Sequence, residues 1–153
     1  MPTELSVFER RVLDALLVGS DSTLETLRTQ ASVAAVSSRE HTGSGAYTHF
    51  AIPDSLARVS QGRIILNDVN IRVADVEHGV ATLLFVTAGL LDFLEFATFT
   101  GSWPKEPQLL SLGYYRAEPM ERGTFTMIPV EQRDAATLFR TLAGPGAELS
   151  DNP

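Results

Sequence analysis

The chain has 153 residues, 44% of them hydrophobic and 20% charged, which fits one globular domain and excludes a disordered polymer. A formal charge of −7 gives no net attraction to phosphate backbones, and no Lys/Arg run forms a local basic patch, so nucleic acid is not an expected partner. The absence of cysteine excludes disulfides, thiolate metal sites and a cysteine nucleophile, and fits a reducing compartment.

At the N-terminus, Leu5, Phe8, Val12 and Leu16 recur at three- and four-residue spacing, with Leu13 and Ala15 on the flank, and predict an amphipathic helix. Thr3 is its expected N-cap, Glu4 lies in its first turn, and Gly19 is the left-handed stop. Charges interleaved in this pattern are foreign to the apolar stretch of a signal peptide, so the cytoplasm is the expected location. Ser22-Thr23-Leu24-Glu25 has capping-box form and starts a second helix with Leu24, Leu27 and Ala31 on one face.

From Ser32 the pattern changes to strands. Ser32 to His41 and Ala46 to Ile52 flank the turn Thr42-Gly43-Ser44-Gly45, with Ala46, Phe50 and Ile52 directed inward. A loop follows, with a short helical turn expected at Ser55 to Val59. Arg63 to Ala74 reads as one long strand, because Val69, Ile71 and Val73 alternate with Asp68, Asn70 and Arg72. His78 to Val86 and Leu90 to Phe99 form a hairpin around Thr87-Ala88-Gly89, ended by Trp103-Pro104. This hairpin holds the densest apolar run and the single tryptophan, and short connections predict a meander. No apolar run approaches the roughly 20 residues that span a bilayer, so no membrane association is expected.

Beyond Pro104, Leu109 to Tyr115 and Thr124 to Ile128 are expected strands separated by a loop from Arg116 to Gly123. Glu131 to Leu142 is an expected helix, stopped by Gly144-Pro145-Gly146. The predicted architecture is a single α+β domain over residues 1–146. Two N-terminal helices pack on a curved, mostly antiparallel sheet of about five to seven strands, with a C-terminal helix and a tail without structure over 147–153.

The sequence offers no complete catalytic constellation. Thr42-Gly43-Ser44-Gly45 lacks the lysine and helix of a phosphate loop, and His41, His49 and His78 have no metal-ligand spacing, so neither a metal nor a cofactor is expected. No serine sits in a nucleophile elbow. A first-hairpin turn centred on Ser44-Gly45 sets Glu40 opposite His49, whereas one centred on Gly43-Ser44 sets Ser38 there.

Strand alternation groups Glu95 with Leu91, Phe93, Ala97 and Phe99, and Asp92 with Leu90, Leu94, Phe96 and Thr98. Both faces are mostly apolar, so at least one of the two carboxylates is expected to be partly desolvated, with Arg72 as candidate partner for Glu95. Glu95 is then either a general acid/base or a hydrogen-bonded carboxylate that fixes register, the second being favoured. Trp103 with Tyr114 and Tyr115 either forms an exposed aromatic interface patch or closes one end of the core.

Arg39-Glu40-His41-Thr42-Gly43-Ser44-Gly45, then Leu84-Phe85 with Gly89 and Leu94-Glu95, then Trp103-Pro104, resembles a pattern in a group of small bacterial proteins of unknown function. That pattern is R-E-x-T-G-x-G, L-F-x-x-x-G-x-x-x-x-L-E and W-P. The resemblance spans Val36 to Pro104 and implies no activity, cofactor or catalytic residue. The expected function is that of a non-enzymatic binding protein of the bacterial cytoplasm, immunity- or antitoxin-like, which blocks a basic protein partner. The alternatives are a small-molecule-binding protein or small enzyme whose pocket between helices and sheet uses Glu95, Glu40 and His49, and a homodimer built through the sheet.

Overall fold

The computed structural model describes residues 2–143 and gives an α+β fold with three helices on one antiparallel sheet. Helix α1 (Val7–Leu16) begins one turn later than its apolar spacing suggests. Ser6-Val7-Phe8-Glu9 is a capping box: the Ser6 hydroxyl accepts the Glu9 amide and the Glu9 carboxylate accepts the Ser6 amide. Thr3 instead forms an isolated bridge to Val36. Helix α2 (Ser22–Ser32) is capped by Asp21, whose carboxylate accepts the Thr23 amide, so the Ser22 capping box is not formed.

The strands are β1 (Ala35–His41), β2 (Gly45–Ala51), β3 (Ile64–Leu66), β4 (Val69–Val73), β5 (Val80–Thr87), β6 (Leu90–Thr98), β7 (Leu109–Pro119) and β8 (Phe125–Val130). Helix α3 (Ala135–Leu142) follows, capped by Asp134. Residues 131–134, expected to be helical, lie outside it. The helix stop expected at 144–146 and the tail expected over 147–153 lie outside the described residues.

Sheet order is β1-β2-β6-β5-β4-β7-β8, with β3 also on β5. This is not a meander, since the β1–β2 hairpin docks on β6 rather than on the next strand in sequence. The sheet stays open, with β1 and β8 as its edges.

One face of the sheet is covered. Val69, Ile71, Val73, Leu84, Val86, Leu91, Leu94 and Phe96 form a buried layer with Leu13, Leu16, Leu24 and Leu27 of the first two helices. Helix α1 lies over β4, α2 over β6 and α3 over β3.

Two irregularities set this layer. The expected long strand from Arg63 to Ala74 breaks at Asn67-Asp68. Asp68 is 1% exposed and held by Arg133, which donates from Nε at 2.8 Å and from Nη2 at 2.7 Å. The Nη1 of Arg133 donates to the carbonyls of Leu16 (2.7 Å), the last residue of α1, and Val18 (2.8 Å), just beyond it. A bulge in β6 sets Phe85 opposite Phe93 but Val86 opposite Leu91, so Leu91 faces the core and parts from Glu95.

The fully buried Gln30 of α2 fixes that bulge. Its amide donates to the carbonyls of Ala57 and Gly89 and accepts the Leu91 amide. The β5–β6 turn places Ala88 and Gly89 both at positive φ, 52° and 79°, as a two-residue hairpin loop demands.

Candidate binding surface

The register of β1, β2 and β6 decides which side chains meet on the uncovered face of the sheet. His41 pairs with Ala46 and Ser38 with His49, so the turn centres on Gly43-Ser44. Glu40 therefore lies opposite Tyr47, and Tyr47 lies opposite Glu95 on its other side. Adjacent in the same register, His49 lies opposite Phe93, and Phe93 opposite Phe85. The face thus presents one row reading Glu40, Tyr47, Glu95, Leu83, and a second reading Ser38, His49, Phe93, Phe85, Ile65.

Side chains directly opposite on one face lie about 5 Å apart at Cβ, so each row is a chain of contacts. Phe85 and Phe93 stack with centroids 4.3 Å apart. Tyr47 and His49 each lie against Phe93, at 5.9 and 5.3 Å. The Tyr47 hydroxyl donates to Glu95 Oε2 at 3.3 Å, and His49 Nε2 reaches Glu40 Oε1 diagonally at 3.5 Å. The negative field of Glu95, then loss of hydration, the hydrogen bond and Glu40 raise the pKa of the Tyr47 phenol.

Glu95, Glu40 and His49 are therefore brought together, and Tyr47 is the residue that joins them. Glu95 and His49 face away from the helices, because Leu94 and Phe96 in β6, and Thr48 and Phe50 in β2, take the inward positions. Arg72 does not answer Glu95. It sits on β4 opposite Ser111, with β5 intervening, and among the described residues no ion pair joins the two. Asp92 lies in the β6 bulge, half-buried like Glu95.

Trp103 is 4% exposed and stacks on Phe96 at 5.3 Å, while Tyr114 is buried with its hydroxyl on the Ala15 carbonyl. Neither belongs to an exposed patch, since both are consumed in closing the core.

Of the residues resembling the bacterial pattern, His41 and Gly43 meet Trp103, whereas Gly89 lies at the far end of the β5–β6 hairpin. The Trp103 amide donates to the Gly43 carbonyl at 2.8 Å. With His41 Nδ1 accepting the Gly43 amide, His41 Nε2 carries the proton and donates to the Trp103 carbonyl at 3.0 Å. Gly45 permits the approach of β2 to β6, because a Cβ there would lie 2.0 Å from the Phe96 carbonyl oxygen.

Between this corner and the start of α1 runs a cleft of about 750 Å³, with Phe8, Phe96 and Trp103 as apolar lining and Glu4, Arg39 and Lys105 among its charged groups. At its wall lies a buried carboxylate that the sequence pattern hides, Glu9. Burial acts to raise its pKa. Hydrogen bonds from Arg39 (2.8 and 2.7 Å), Thr48 (2.7 Å) and the Ser6 amide, with the Arg39 charge, override this and bring it from 4.5 down to about 2. Glu40 and Tyr47 also line this cleft, so it adjoins the uncovered face.

Among the described residues no group of three or more His, Cys, Asp or Glu is placed to hold a metal ion, and no helix is long and apolar enough to cross a membrane. The chain matches no protein-family model, no curated protein and no solved structure.

Proposed function

We propose that the protein is a binding module for a basic protein partner, and that the uncovered sheet face around Tyr47 is its docking surface. The observation that supports this is the pair of cross-strand rows, in which half-buried aromatic rings are flanked by Glu40 and Glu95. Aromatic area with a charged rim is the composition enriched in protein interfaces, and the chain charge of −7 draws a basic partner and slows an acidic one. A second copy of the chain is disfavoured, since each copy brings the same −7 and the same two carboxylates. The exposed Phe125 lies under the Arg140 guanidinium at 4.3 Å, which makes that end unattractive to a basic partner.

The test is affinity capture from the source cell with the wild-type chain and with Glu40→Lys/Glu95→Lys, followed by titration of the purified pair. A basic captured protein whose affinity falls with salt and is lost in the double variant supports the reading. Equal capture by both proteins, or a chain mass doubled at micromolar concentration, overturns it.

A second reading rests on the cleft, whose volume lies in the range of small-molecule sites. A small amphipathic ligand there would change the emission of Trp103, the chain's single tryptophan, and a metabolite screen that leaves that emission unchanged removes this reading.

A further inference from the structure

The register of the uncovered face carries the proposal to a specific ligand group. We infer that the Glu40–Tyr47–Glu95 row is a receptor for a guanidinium, and that an arginine side chain is the anchor by which the partner is held. This rests on the docking surface proposed above and names its chemistry.

The Tyr47 ring is half-buried between two carboxylates supplied by neighbouring strands. A planar cation laid on that ring meets a carboxylate on either side, and a guanidinium has the flat shape and the divergent N–H groups to use both. The apolar stem of the arginine then runs along the second row, over Phe93 and Phe85, which stack at 4.3 Å and leave their remaining faces half-exposed.

The electrostatics of the row match this ligand. The field that raises the Tyr47 pKa is set mainly by Glu95, and the same field is attractive to a cation over the ring. Among the described residues half-buried Glu95 accepts one side-chain hydrogen bond, from Tyr47 at 3.3 Å, which leaves it lone pairs to offer a ligand. The Glu40 side chain is 62% exposed and, among the described residues, engages only His49, at 3.5 Å. Lys105 lines the adjoining cleft, and the nearby arginines are committed or distant. Arg39, next to Glu40 in sequence, points to the opposite face and gives Nε and Nη2 to Glu9, and Arg72 lies beyond β5. Lysine is the poorer fit, because an ammonium cannot bond both carboxylates while lying flat on the ring.

The experiment titrates the protein with the capped peptide Gly-Arg-Gly-Arg-Gly and with versions in which lysine or citrulline replaces arginine, following ring-proton shifts by NMR. Citrulline keeps the shape of arginine without its charge. The expected result is saturable shifts at Tyr47 and Phe93 with the arginine peptide, weaker binding with lysine and none with citrulline. Glu95→Gln is expected to weaken the arginine peptide roughly three- to fivefold, as suits one half-exposed ion pair, while Glu4→Gln in the cleft leaves it unchanged. Equal response to arginine and citrulline, an unaffected Glu95→Gln, or shifts at Phe8 and Trp103 with Phe93 unmoved overturns the inference. A partner that binds this face regardless of Glu95→Gln refutes the arginine anchor alone. Arginine binding without any basic partner refutes the docking proposal alone.

Discussion

Replacing Arg133 by methionine strikes the contact that joins the most distant parts of the chain. In one step the change removes both guanidinium bonds to Asp68, which is 1% exposed, and the donors to the Leu16 and Val18 carbonyls at the end of α1. Breaking a buried ion pair from one side strands the other charge in a site of low polarity and costs about 3–5 kcal/mol. For a domain of this size that lowers the melting temperature by roughly 6–20 °C, at about 2–4 °C per kcal/mol.

The expected culprit is the stranded carboxylate rather than the lost packing, so adding Asp68→Asn to Arg133→Met should restore about 1–2 kcal/mol. Urea unfolding of the wild type, both single variants and the double variant completes the cycle. A cost below about 1 kcal/mol for Arg133→Met, or a double variant no more stable than Arg133→Met, refutes the reasoning.

Glu9 makes stability depend on acid. Its folded pKa of about 2 lies below the ordinary 4.5, so its contribution is complete above pH 4.5 and is lost as pH falls toward 2. The shift corresponds to about 3 kcal/mol, reduced to about 2 because the Arg39 side chain is 45% exposed and screened by solvent. Unfolding free energies of wild type and Glu9→Gln from urea titrations should differ by that amount at pH 7 and converge toward pH 2; a constant gap contradicts the assignment. Gly45→Ala places a methyl group 2.0 Å from the Phe96 carbonyl oxygen and should cost more than about 2 kcal/mol, with Trp103 emission shifting to the red; a change within 0.5 kcal/mol would show that β2 and β6 separate freely. Gln30→Leu leaves the Leu91 amide and the Ala57 carbonyl without the Gln30 partner, while the Gly89 carbonyl keeps the Val59 amide, at a cost of about 2–4 kcal/mol, and should raise hydrogen exchange at Leu91 before the rest of β6.

How much of this was legible depended on the range of the interaction. Val69, Ile71 and Val73 alternate with polar neighbours, and that local period correctly marks the buried face of β4. The same alternation misleads at Asp68. Its polar position reads as solvent-facing, whereas its partner Arg133 arrives from 65 residues away through a fold that no local pattern describes. Glu9 falls among the polar positions of α1 in the same manner and is buried only because the β1–β2 hairpin brings Arg39 and Thr48 against it.

Simple alternation puts Leu91 on the face of Glu95, and one extra residue in the β6 bulge reverses it. The candidates Glu95, Glu40 and His49 were nameable from residue type. Their meeting on Tyr47 was not, because it depends on a hairpin register that Thr42-Gly43-Ser44-Gly45 allows in two forms.

Hydroxyl-radical footprinting of the protein alone and in complex with the captured partner tests the central claim most directly. If the uncovered sheet face is the docking surface, Tyr47, Phe85 and Phe93 become protected while Phe139, 69% exposed on α3, keeps its reactivity. Protection of Phe139 and Phe125 with Tyr47, Phe85 and Phe93 unchanged would contradict it.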